Sequence, residues 1–337
     1  MILLLDLLRS ALHETPLDNT ELERFRALDA TAWQGLLSEA ERQSVTGLVY
    51  QAVSYFPDDF EMPEGILFQL VGSISQIEAG NRALEQASDK LIVEMQADGF
   101  HPLLMKGATI AALYPKPQWR EYGDIDLYLK PEEFDLLPAF STRNRYVLSK
   151  SPDKSYHFSY YGIDVDIHRS YFDLYGRAAK PPVPSSEAML LMLSAHILKH
   201  CVGPGAGLRQ VCDMAAGCLK LDGKYDPALL VEYAKENRID KWNKLLFSFL
   251  STYLEIPDRL YSSNKTSPEP LMNIISEGGN FGHYSTRRQS AFKKAAVLRK
   301  ADTARAIARR LPFALKYAPG QGISILLTLL RGNFGRK

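Results

Sequence analysis

The stretch that decides the fold lies between residues 103 and 168 and contains three short segments: Leu103-Leu104-Met105-Lys106-Gly107, Gly123-Asp124-Ile125-Asp126-Leu127 and Asp164-Val165-Asp166-Ile167-His168. The first predicts a buried strand that ends in a glycine turn, with a short helix after it. In the other two segments carboxylate and apolar residues alternate, which is typical of strands with one buried face. This order predicts a mixed α/β core whose sheet carries acidic side chains on one face.

The paired carboxylates of the second segment indicate a metal site. Asp124 and Asp126 are two residues apart on a predicted strand, so both side chains point to the same face. Two adjacent carboxylates repel each other unless a cation lies between them. Magnesium favours carboxylate oxygens together with substrate phosphates, and a pair of such ions stabilises the oxygens of an in-line displacement. Asp166 is the best candidate for a third carboxylate, with Asp164 as the alternative, and His168 continues that face.

The turn at Lys106-Gly107 predicts a phosphate site. Glycine lets the backbone approach a phosphate closely, and the helix that follows offers free N–H groups. Lys106 adds a positive charge and Thr109 a hydroxyl. Arg120 lies four residues before Asp124. It can reach the phosphates, pair with one of the aspartates, or be a solvated loop arginine.

These motifs resemble a known family. The resemblance is to the uncharacterised nucleotidyltransferase family of the DNA polymerase beta-like superfamily. It rests on Lys106-Gly107-Ala108, Tyr114-Pro115, Arg120, Asp124-Ile125-Asp126-Leu127 and Asp166-Ile167-His168, with a looser likeness at Leu208-Arg209-Gln210-Val211-Cys212-Asp213. It implies a small mixed sheet with flanking helices and a divalent metal site for Mg²⁺ or Mn²⁺. It also implies transfer of a nucleoside monophosphate from an NTP, with ATP as the expected donor, and release of pyrophosphate.

The resemblance also implies roles for individual residues. Asp124, Asp126 and Asp166 match the catalytic carboxylates that hold the metal. The chemistry of the turn and of the strand face, apart from the resemblance, makes Lys106, Gly107, Thr109, Arg120 and His168 the expected nucleotide-binding residues. The wider superfamily has Gly-Ser at the phosphate turn where this chain has Gly107-Ala108, so metal binding is better supported than triphosphate binding.

Apolar periodicity divides the rest of the chain into helical regions. We expect an N-terminal helical region over 1–98, the nucleotidyltransferase core over 99–180, and a C-terminal helical region with a basic tail over 181–337. The fold class is therefore α+β. One long amphipathic helix is predicted from about Glu64 to Gln96. The sequence also predicts a helix over Pro131–Phe140, a strand at Tyr146–Leu148, and a helix over about 285–311 that ends at Pro312. The apolar N-terminal residues, broken by charges, predict a helix rather than a signal peptide.

Charge is unevenly distributed along the chain. The net charge is +1, but Arg287–Lys337 contains 13 Lys plus Arg and one acidic residue. This basic tail is either a solvated face or a contact for an anionic partner, such as an RNA backbone, an acidic peptide or an anionic membrane. Because it lacks an RNA-reading motif and interleaved aromatic residues, a nucleic acid partner is not favoured.

Composition indicates a cytoplasmic protein. Three cysteines are too few and too scattered for a disulfide framework, so a reduced, cytoplasmic setting is expected. Bilayer spanning needs about 20 apolar residues, and no run reaches that length. The nearest run, Ile323–Leu330, predicts a packed C-terminal helix, with a membrane-surface contact as the alternative.

Two further residue pairs have helical i, i+4 spacing. His196 and His200 suit a metal pair, but helix packing is favoured because no third ligand lies nearby in sequence. Arg209 and Asp213 form either an ordinary helix ion pair or part of the cleft. The glycine-rich segment 203–207 is expected to be a loop beside that cleft.

The expected acceptor is a hydroxyl of a small molecule, a peptide or a protein, with an RNA end less favoured. Two alternatives remain: a catalytically inactive nucleotide-binding regulatory or scaffold protein, indicated by the missing serine after Gly107, and an RNA-modifying toxin-type nucleotidyltransferase, indicated by the basic tail. Neither the acceptor nor the oligomeric state follows from the sequence.

Overall fold

A five-stranded mixed sheet forms the centre of the fold. The structure, a computed structural model, describes residues 1–151, 155–203, 205–257, 261, 266–278 and 308–334. The strands are β1 (Leu103–Leu104), β2 (Asp124–Tyr128), β3 (Ser149–Lys150), β4 (Tyr156–Tyr160) and β5 (Ile163–His168), in the spatial order β1-β2-β5-β4-β3. Strands β2 and β5 are parallel, and the other neighbours are antiparallel. The predicted α+β fold class is confirmed.

The two faces of the sheet differ in polarity. Ile125, Leu127, Val165 and Ile167 occupy alternate positions of β2 and β5 and are at most 2% exposed. They share a hydrophobic cluster with residues of the long helix that precedes the sheet and of two short helices that follow β2. The opposite face carries the polar residues of the same strands, and it is therefore the face that can bind a ligand.

Five helices precede the sheet. Two of them begin after an aspartate whose side chain accepts a backbone N–H of the first turn: Asp18 from Glu21 and Asp29 from Ala32. The helices are α1 (Ile2–His13), α2 (Asn19–Arg26), α3 (Ala30–Gln43), α4 (Thr46–Val53) and α5 (Ile66–Ala97). Helix α5 confirms the long helix that the sequence predicts.

Short helices connect the strands, and longer helices follow the sheet. Those within the core are α6 (Ala108–Ala111), a 3₁₀ turn at Pro117–Trp119, α7 (Pro131–Phe134) and α8 (Leu137–Asn144). Those that follow are α9 (Ser186–Val202), α10 (Leu208–Lys220), α11 (Pro227–Glu236), α12 (Asp240–Leu254), α13 (Glu269–Gly278), α14 (308–317) and α15 (Pro319–Phe334).

The helices before and after the sheet share one hydrophobic core. Buried leucines of α1 and α4 belong to the same cluster as buried residues of α9, α10 and α12. Polar contacts join the same elements: Arg9 Nη1 donates to Glu255 Oε1 at 2.7 Å, and His13 Nε2 lies 2.8 Å from the Leu254 carbonyl oxygen. The first helix is therefore packed against residues almost 250 positions later in the chain.

Three predicted elements differ from the structure. The predicted strand at Tyr146–Leu148 is a loop, because Tyr146 stacks on Phe158 at 4.9 Å between ring centroids and thereby packs against the sheet without pairing. The predicted helix over Pro131–Phe140 divides into α7 and α8, since Pro138 can start a new helix but interrupts a continuous one.

The predicted helix over 285–311 lies mostly outside the described residues. Its last residues belong to α14, which passes Pro312 instead of ending there, because a proline removes one backbone donor and can bend a helix without terminating it. The run 323–330 lies in α15, where Ile325 and Leu326 are buried. Within the described part of the chain, no helix combines the length and apolar character needed to cross a bilayer.

Candidate active site

The polar face of the sheet brings four carboxylates together. Strands β2 and β5 pair in parallel and in register, so that Asp124 lies opposite Asp164 and Asp126 opposite Asp166. Because side chains alternate along each strand, all four point to the same face. Asp126 is buried, Asp166 is half-buried, and Asp124 and Asp164 are exposed. The carboxylates thus range from a buried centre to an exposed edge.

Asp126 is the buried centre of this cluster. Its Oδ1 accepts a hydrogen bond from Lys106 Nζ at 2.8 Å and lies 2.8 Å from His168 Nε2. Burial alone would raise the pKa of Asp126, but the charge of Lys106 and the hydrogen bond from His168 outweigh burial and hold that pKa well below its usual value. Asp126 is therefore a carboxylate at neutral pH.

Asp124 has the opposite electrostatic environment. Although the side chain is exposed to the cleft, desolvation by the surrounding protein raises its pKa to about 6, and the negative charge of Asp126 adds to the effect. A cation placed between the two carboxylates would relieve this repulsion.

The donor atoms fit a divalent cation. One ligand atom each from Asp126, Asp166 and His168 lies within 4.8 Å of the others, which makes them a three-ligand group among the described residues. Two carboxylate oxygens suit Mg²⁺ or Mn²⁺, and an imidazole nitrogen is compatible with Mn²⁺. Asp124 lies at the edge of this group on the same sheet face.

His157 also belongs to the site, although the motifs gave no reason to select it. It lies opposite Asp166 on β4, its Nδ1 hydrogen-bonds Asp166 Oδ1, and its Nε2 lies 3.0 Å from Ser155 Oγ. A signal for it was present in the sequence. A two-residue turn at Tyr161-Gly162, where both residues have positive φ, fixes the register that pairs 157 with 166.

The turn after β1 holds the lysine against the sheet. Gly107 has a φ of 61°, a conformation that favours glycine, and a Cβ there would lie 3.4 Å from the Tyr122 ring. Thr109 Oγ1 donates to the Leu104 carbonyl oxygen at 3.2 Å and so closes the turn. Helix α6 after the turn has four residues. Phosphate binding by Thr109 stays a prediction.

Arg120 is buried in an ion pair. Its Nε and Nη2 donate to the two carboxylate oxygens of Asp213 at 2.6 and 2.8 Å, and Tyr114 Oη donates to the same carboxylate at 2.7 Å. Arg120 therefore pairs with an aspartate of α10, and not with Asp124 or Asp126. Arg209 donates from Nη1 to the Glu121 carbonyl oxygen at 2.8 Å. Asp213 thus ties α10 to the loop that leads into β2.

The predicted histidine pair lies behind Lys106. The rings of His196 and His200 are 4.5 Å apart between centroids, and Asp173 accepts from Lys199 Nζ at 2.8 Å and lies 3.0 Å from His196 Nδ1. Burial lowers the pKa of His196 to about 4, and the charge of Lys106 contributes. His196 is therefore neutral at pH 7 and belongs to a buried polar network, and neither histidine is in the three-ligand group of the described residues.

Two cavities meet at the carboxylates. The larger, of about 800 Å³, is lined by residues that include Asp124, His157, Asp164, Asp166 and Arg209. The smaller, of about 200 Å³, lies between Lys106-Gly107, the sheet and helices α9 and α10. Of the predicted site residues, Asp124, Asp126, Asp166, Lys106, Gly107, Arg120 and His168 line one or both cavities. Thr109 lines neither of these two cavities.

Comparison with known proteins agrees with this geometry. The model of a family described as uncharacterised nucleotidyltransferase matches residues 29–254, a range that contains the whole sheet and helices α3 to α12. Searches of curated proteins and of solved structures gave no match. Since the matched range covers most of the chain, this protein belongs to that nucleotidyltransferase family, whose enzymes transfer phosphorus-containing groups.

Proposed function

We propose that this protein transfers a nucleoside monophosphate from an NTP to an acceptor hydroxyl and releases pyrophosphate. The observation that carries the proposal is the parallel, in-register pairing of β2 and β5, which sets Asp126 opposite Asp166 and Asp124 opposite Asp164 at a cleft. Carboxylates clustered in this way suit a divalent cation and an in-line displacement at phosphorus.

Three carboxylates would hold the metal. Asp124, Asp126 and Asp166 are the proposed catalytic ligands. His168 is added as a ligand, and its Nε2 would exchange the hydrogen bond to Asp126 for the metal. When bound, Mg²⁺ or Mn²⁺ would neutralise the charge that develops on the transferred phosphoryl group. His157 orients Asp166 through its hydrogen bond, and Asp166 helps to remove the proton of the acceptor hydroxyl.

Lys106 and Gly107 would contact the phosphates of the NTP. Lys106 Nζ is already within hydrogen-bonding distance of Asp126, and Gly107 allows close approach of the backbone. Arg120 lines the smaller cavity together with Lys106 and Gly107. Because Asp213 balances the charge of Arg120, its main contribution would be to hold the cavity wall in position, and direct phosphate contact would be a second role. Most of the rate gain would come from positioning and charge neutralisation.

The larger cleft would receive the acceptor. Its walls include the acidic residues Glu121, Asp124, Asp164 and Asp166. Arg209 is the single Lys or Arg among its lining residues. An anionic acceptor such as an RNA end would be repelled there, whereas a hydroxyl of a small molecule or a peptide or protein side chain would not. ATP is the proposed donor.

The first test is nucleotide binding. Titration calorimetry with Mg²⁺ would compare each of the four NTPs on wild type, on the Asp124→Asn/Asp126→Asn double variant and on Asp164→Asn. We expect magnesium-dependent binding that the double variant loses and Asp164→Asn keeps, followed by acceptor screening with the labelled NTP. The absence of NTP binding to wild type at millimolar concentration would overturn the proposal.

A further inference from the structure

Helices α14 and α15 expose rows of apolar residues. On α14 the row has the i, i+3, i+4, i+7 spacing of one helix side, and on α15 it has i, i+4, i+8 spacing. Together the rows form what we call the C-terminal apolar face: Ala308, Leu311, Pro312, Leu315, Pro319, Ile323 and Leu327. Its four leucine and isoleucine side chains are between 39% and 47% exposed. Single exposed apolar residues are common, but such rows on two adjacent helices indicate an interaction surface.

Both helices are fixed to the body of the protein. Ala314 and Tyr317 of α14 and Ile325 and Leu326 of α15 are buried in the hydrophobic core that joins the two helical regions. A Cβ on Gly322 would lie 2.6 Å from the Cβ of Ala314, so the two helices are in close contact. Each helix therefore buries one side in the core and presents the apolar residues of its other side to solvent.

The residues that border this face are basic. Arg309 and Lys316 are exposed and lie seven positions apart, so they share one side of α14 next to its apolar row. Arg310 lies beside Glu277, with 3.6 Å between Nη2 and Oε2. The sequence from 303 to 337 contains seven Lys plus Arg and no acidic residue. A positive border around an apolar face requires a partner that is negatively charged and also apolar.

An anionic lipid surface meets both requirements. Its headgroup phosphates pair with Lys and Arg, and its acyl chains cover leucine and isoleucine side chains. An RNA backbone would use the charges but leave the apolar rows in water. A second copy of the same face would bring like charges together, which is unfavourable at an interface. The combination of charge and apolar surface therefore favours a membrane.

We propose that α14 and α15 bind the surface of an anionic membrane. The C-terminal apolar face lies among the headgroups and upper acyl chains, and Arg309 and Lys316 lie at the lipid phosphates. Helix α15 has 16 residues, which is shorter than the length of about 20 residues that spans a bilayer. The helices thus lie in the plane of the interface, and this role is separate from the chemistry at the carboxylates.

The first test uses the wild-type chain and vesicles. Flotation would compare vesicles of phosphatidylcholine alone with vesicles of equal parts phosphatidylcholine and phosphatidylglycerol. We expect the protein to float with the anionic vesicles at low ionic strength and to bind the neutral vesicles at least about tenfold more weakly, because each basic residue near an anionic surface adds to the affinity. Added salt should weaken the binding. Wild-type protein that does not float with anionic vesicles would overturn the proposal.

Leu315→Ser/Ile323→Ser tests the apolar contribution. Both side chains are already partly exposed, at 47% and 41%, so the variant should unfold at the wild-type temperature. We expect its affinity for the anionic vesicles to fall by about tenfold or more, because two apolar side chains no longer enter the bilayer. The matched control is Phe68→Ser/Val71→Ser, which removes exposed apolar side chains from α5 and should leave vesicle affinity unchanged.

Arg309→Gln/Lys316→Gln tests the charges. We expect a loss of about tenfold or more on anionic vesicles. Arg82→Gln/Lys90→Gln, which neutralises two exposed basic residues of α5, should keep the wild-type affinity.

Two results would assign the face to another partner. If the charge variant loses vesicle binding while Leu315→Ser/Ile323→Ser retains it, and a single-stranded RNA binds the wild-type protein equally well, the surface binds polyanions and the membrane proposal fails. Sedimentation equilibrium without vesicles tests self-association. A dimer that Leu315→Ser/Ile323→Ser converts to monomer would show that a second copy covers the face, and would also overturn the proposal.

Discussion

Two aspartates two residues apart on one strand have opposite electrostatic properties. Asp126 is enclosed by Lys106 and His168, which keep it ionised, while Asp124 stands at the cleft with a pKa raised to about 6. The difference comes from their neighbours, since the two side chains are chemically identical. Metal binding should therefore depend on Asp126 most strongly.

The first prediction concerns metal affinity. We expect Asp126→Asn to weaken Mn²⁺ binding by more than about 100-fold, because even residues that only orient metal ligands contribute about 10- to 100-fold. Asp164→Asn, which removes a carboxylate outside the three-ligand group, should retain binding. Calorimetry with Mn²⁺ alone makes the comparison. Equal losses in the two variants would show that the site had been assigned to the wrong carboxylates.

The second prediction concerns pH. His196 has a pKa of about 4 in the folded protein and about 6.5 when unfolded. Between these values the unfolded chain binds the extra proton, so the contribution of His196 to the free energy of unfolding falls as the pH drops from about 6.5 to about 4. One such proton contributes at most about 1.4 kcal/mol per pH unit. His196→Asn should make the urea-unfolding free energy less steep in this window, and an unchanged slope would contradict the assignment.

For individual residues, the alternation of polar and apolar residues along a strand is the feature that the sequence reveals. The shared face of Asp124 and Asp126 follows from two-residue periodicity. The turn at Tyr161-Gly162 sets the register of β4 against β5, which places His157 opposite Asp166 in the site. The partner of Arg120 does not follow from any local pattern. Asp213 lies 93 residues later and meets Arg120 because α10 packs against the core.

Among the elements, the turn after β1 depends most on one residue type. The third prediction is that Gly107→Ala destabilises the protein by about 1–3 kcal/mol, the usual cost of a strained backbone conformation, and weakens NTP binding because Lys106 shifts. Gly123→Ala is the matched control, since a Cβ there meets no atom within 4 Å. Thermal unfolding and calorimetry would measure both. A Gly107→Ala protein as stable as Gly123→Ala would contradict the strain argument.

The loop before β2 is held by close helix packing. Asn81 donates to the carbonyl oxygens of Gln118 and Arg120, both at 2.9 Å. A Cβ on Gly47 would lie 2.0 Å from the Trp119 carbonyl oxygen, so this contact requires glycine in α4. The position of Arg120 therefore depends on two helices of the N-terminal region.

The fourth prediction is that two helical glycines respond in opposite directions. Gly47→Ala should destabilise the protein by about 1–3 kcal/mol through overpacking. Gly35→Ala in α3, where a Cβ meets nothing within 4 Å, should stabilise it by about 0.5–1 kcal/mol through helix propensity. Denaturant unfolding would give both free energies. The same sign in both variants would show that packing at Gly47 is looser than described.

Element boundaries show where sequence patterns mislead. The apolar residues around Tyr146 predict a strand, yet they pack against the sheet from a loop. Periodicity detects that a side chain is buried, but it does not distinguish burial by pairing from burial by a loop. The long helix α5 was predictable because its pattern extends over many turns.

For the whole molecule, a single core joins both helical regions. The division into 1–98, 99–180 and 181–337 stays a prediction, and the core residues of α1, α4, α9, α10 and α12 belong to one cluster. An amphipathic pattern predicts that one face of a helix is buried, but it does not predict which element covers that face. Long-range packing of this kind therefore does not follow from local sequence patterns.

The fifth prediction uses the cysteines to test the integrity of this core. Cys201, Cys212 and Cys218 are free and buried, and burial raises the pKa of Cys201 to about 12. At pH 8 we expect a thiol reagent to label none of them rapidly in the native protein and all three in denaturant. A thiol that reacts at the denatured rate under native conditions would show that α9 or α10 opens locally.

The packing of α1 also has a consequence for synthesis. Its contacts with the end of α12 join residues 246 positions apart, from Arg9 to Glu255. At a translation rate of about 5–20 residues per second, the first helix leaves the ribosome roughly 10–50 s before its later partner. During that interval the leucines of α1 lack part of their final cover, so the nascent chain exposes an apolar surface that a chaperone can bind.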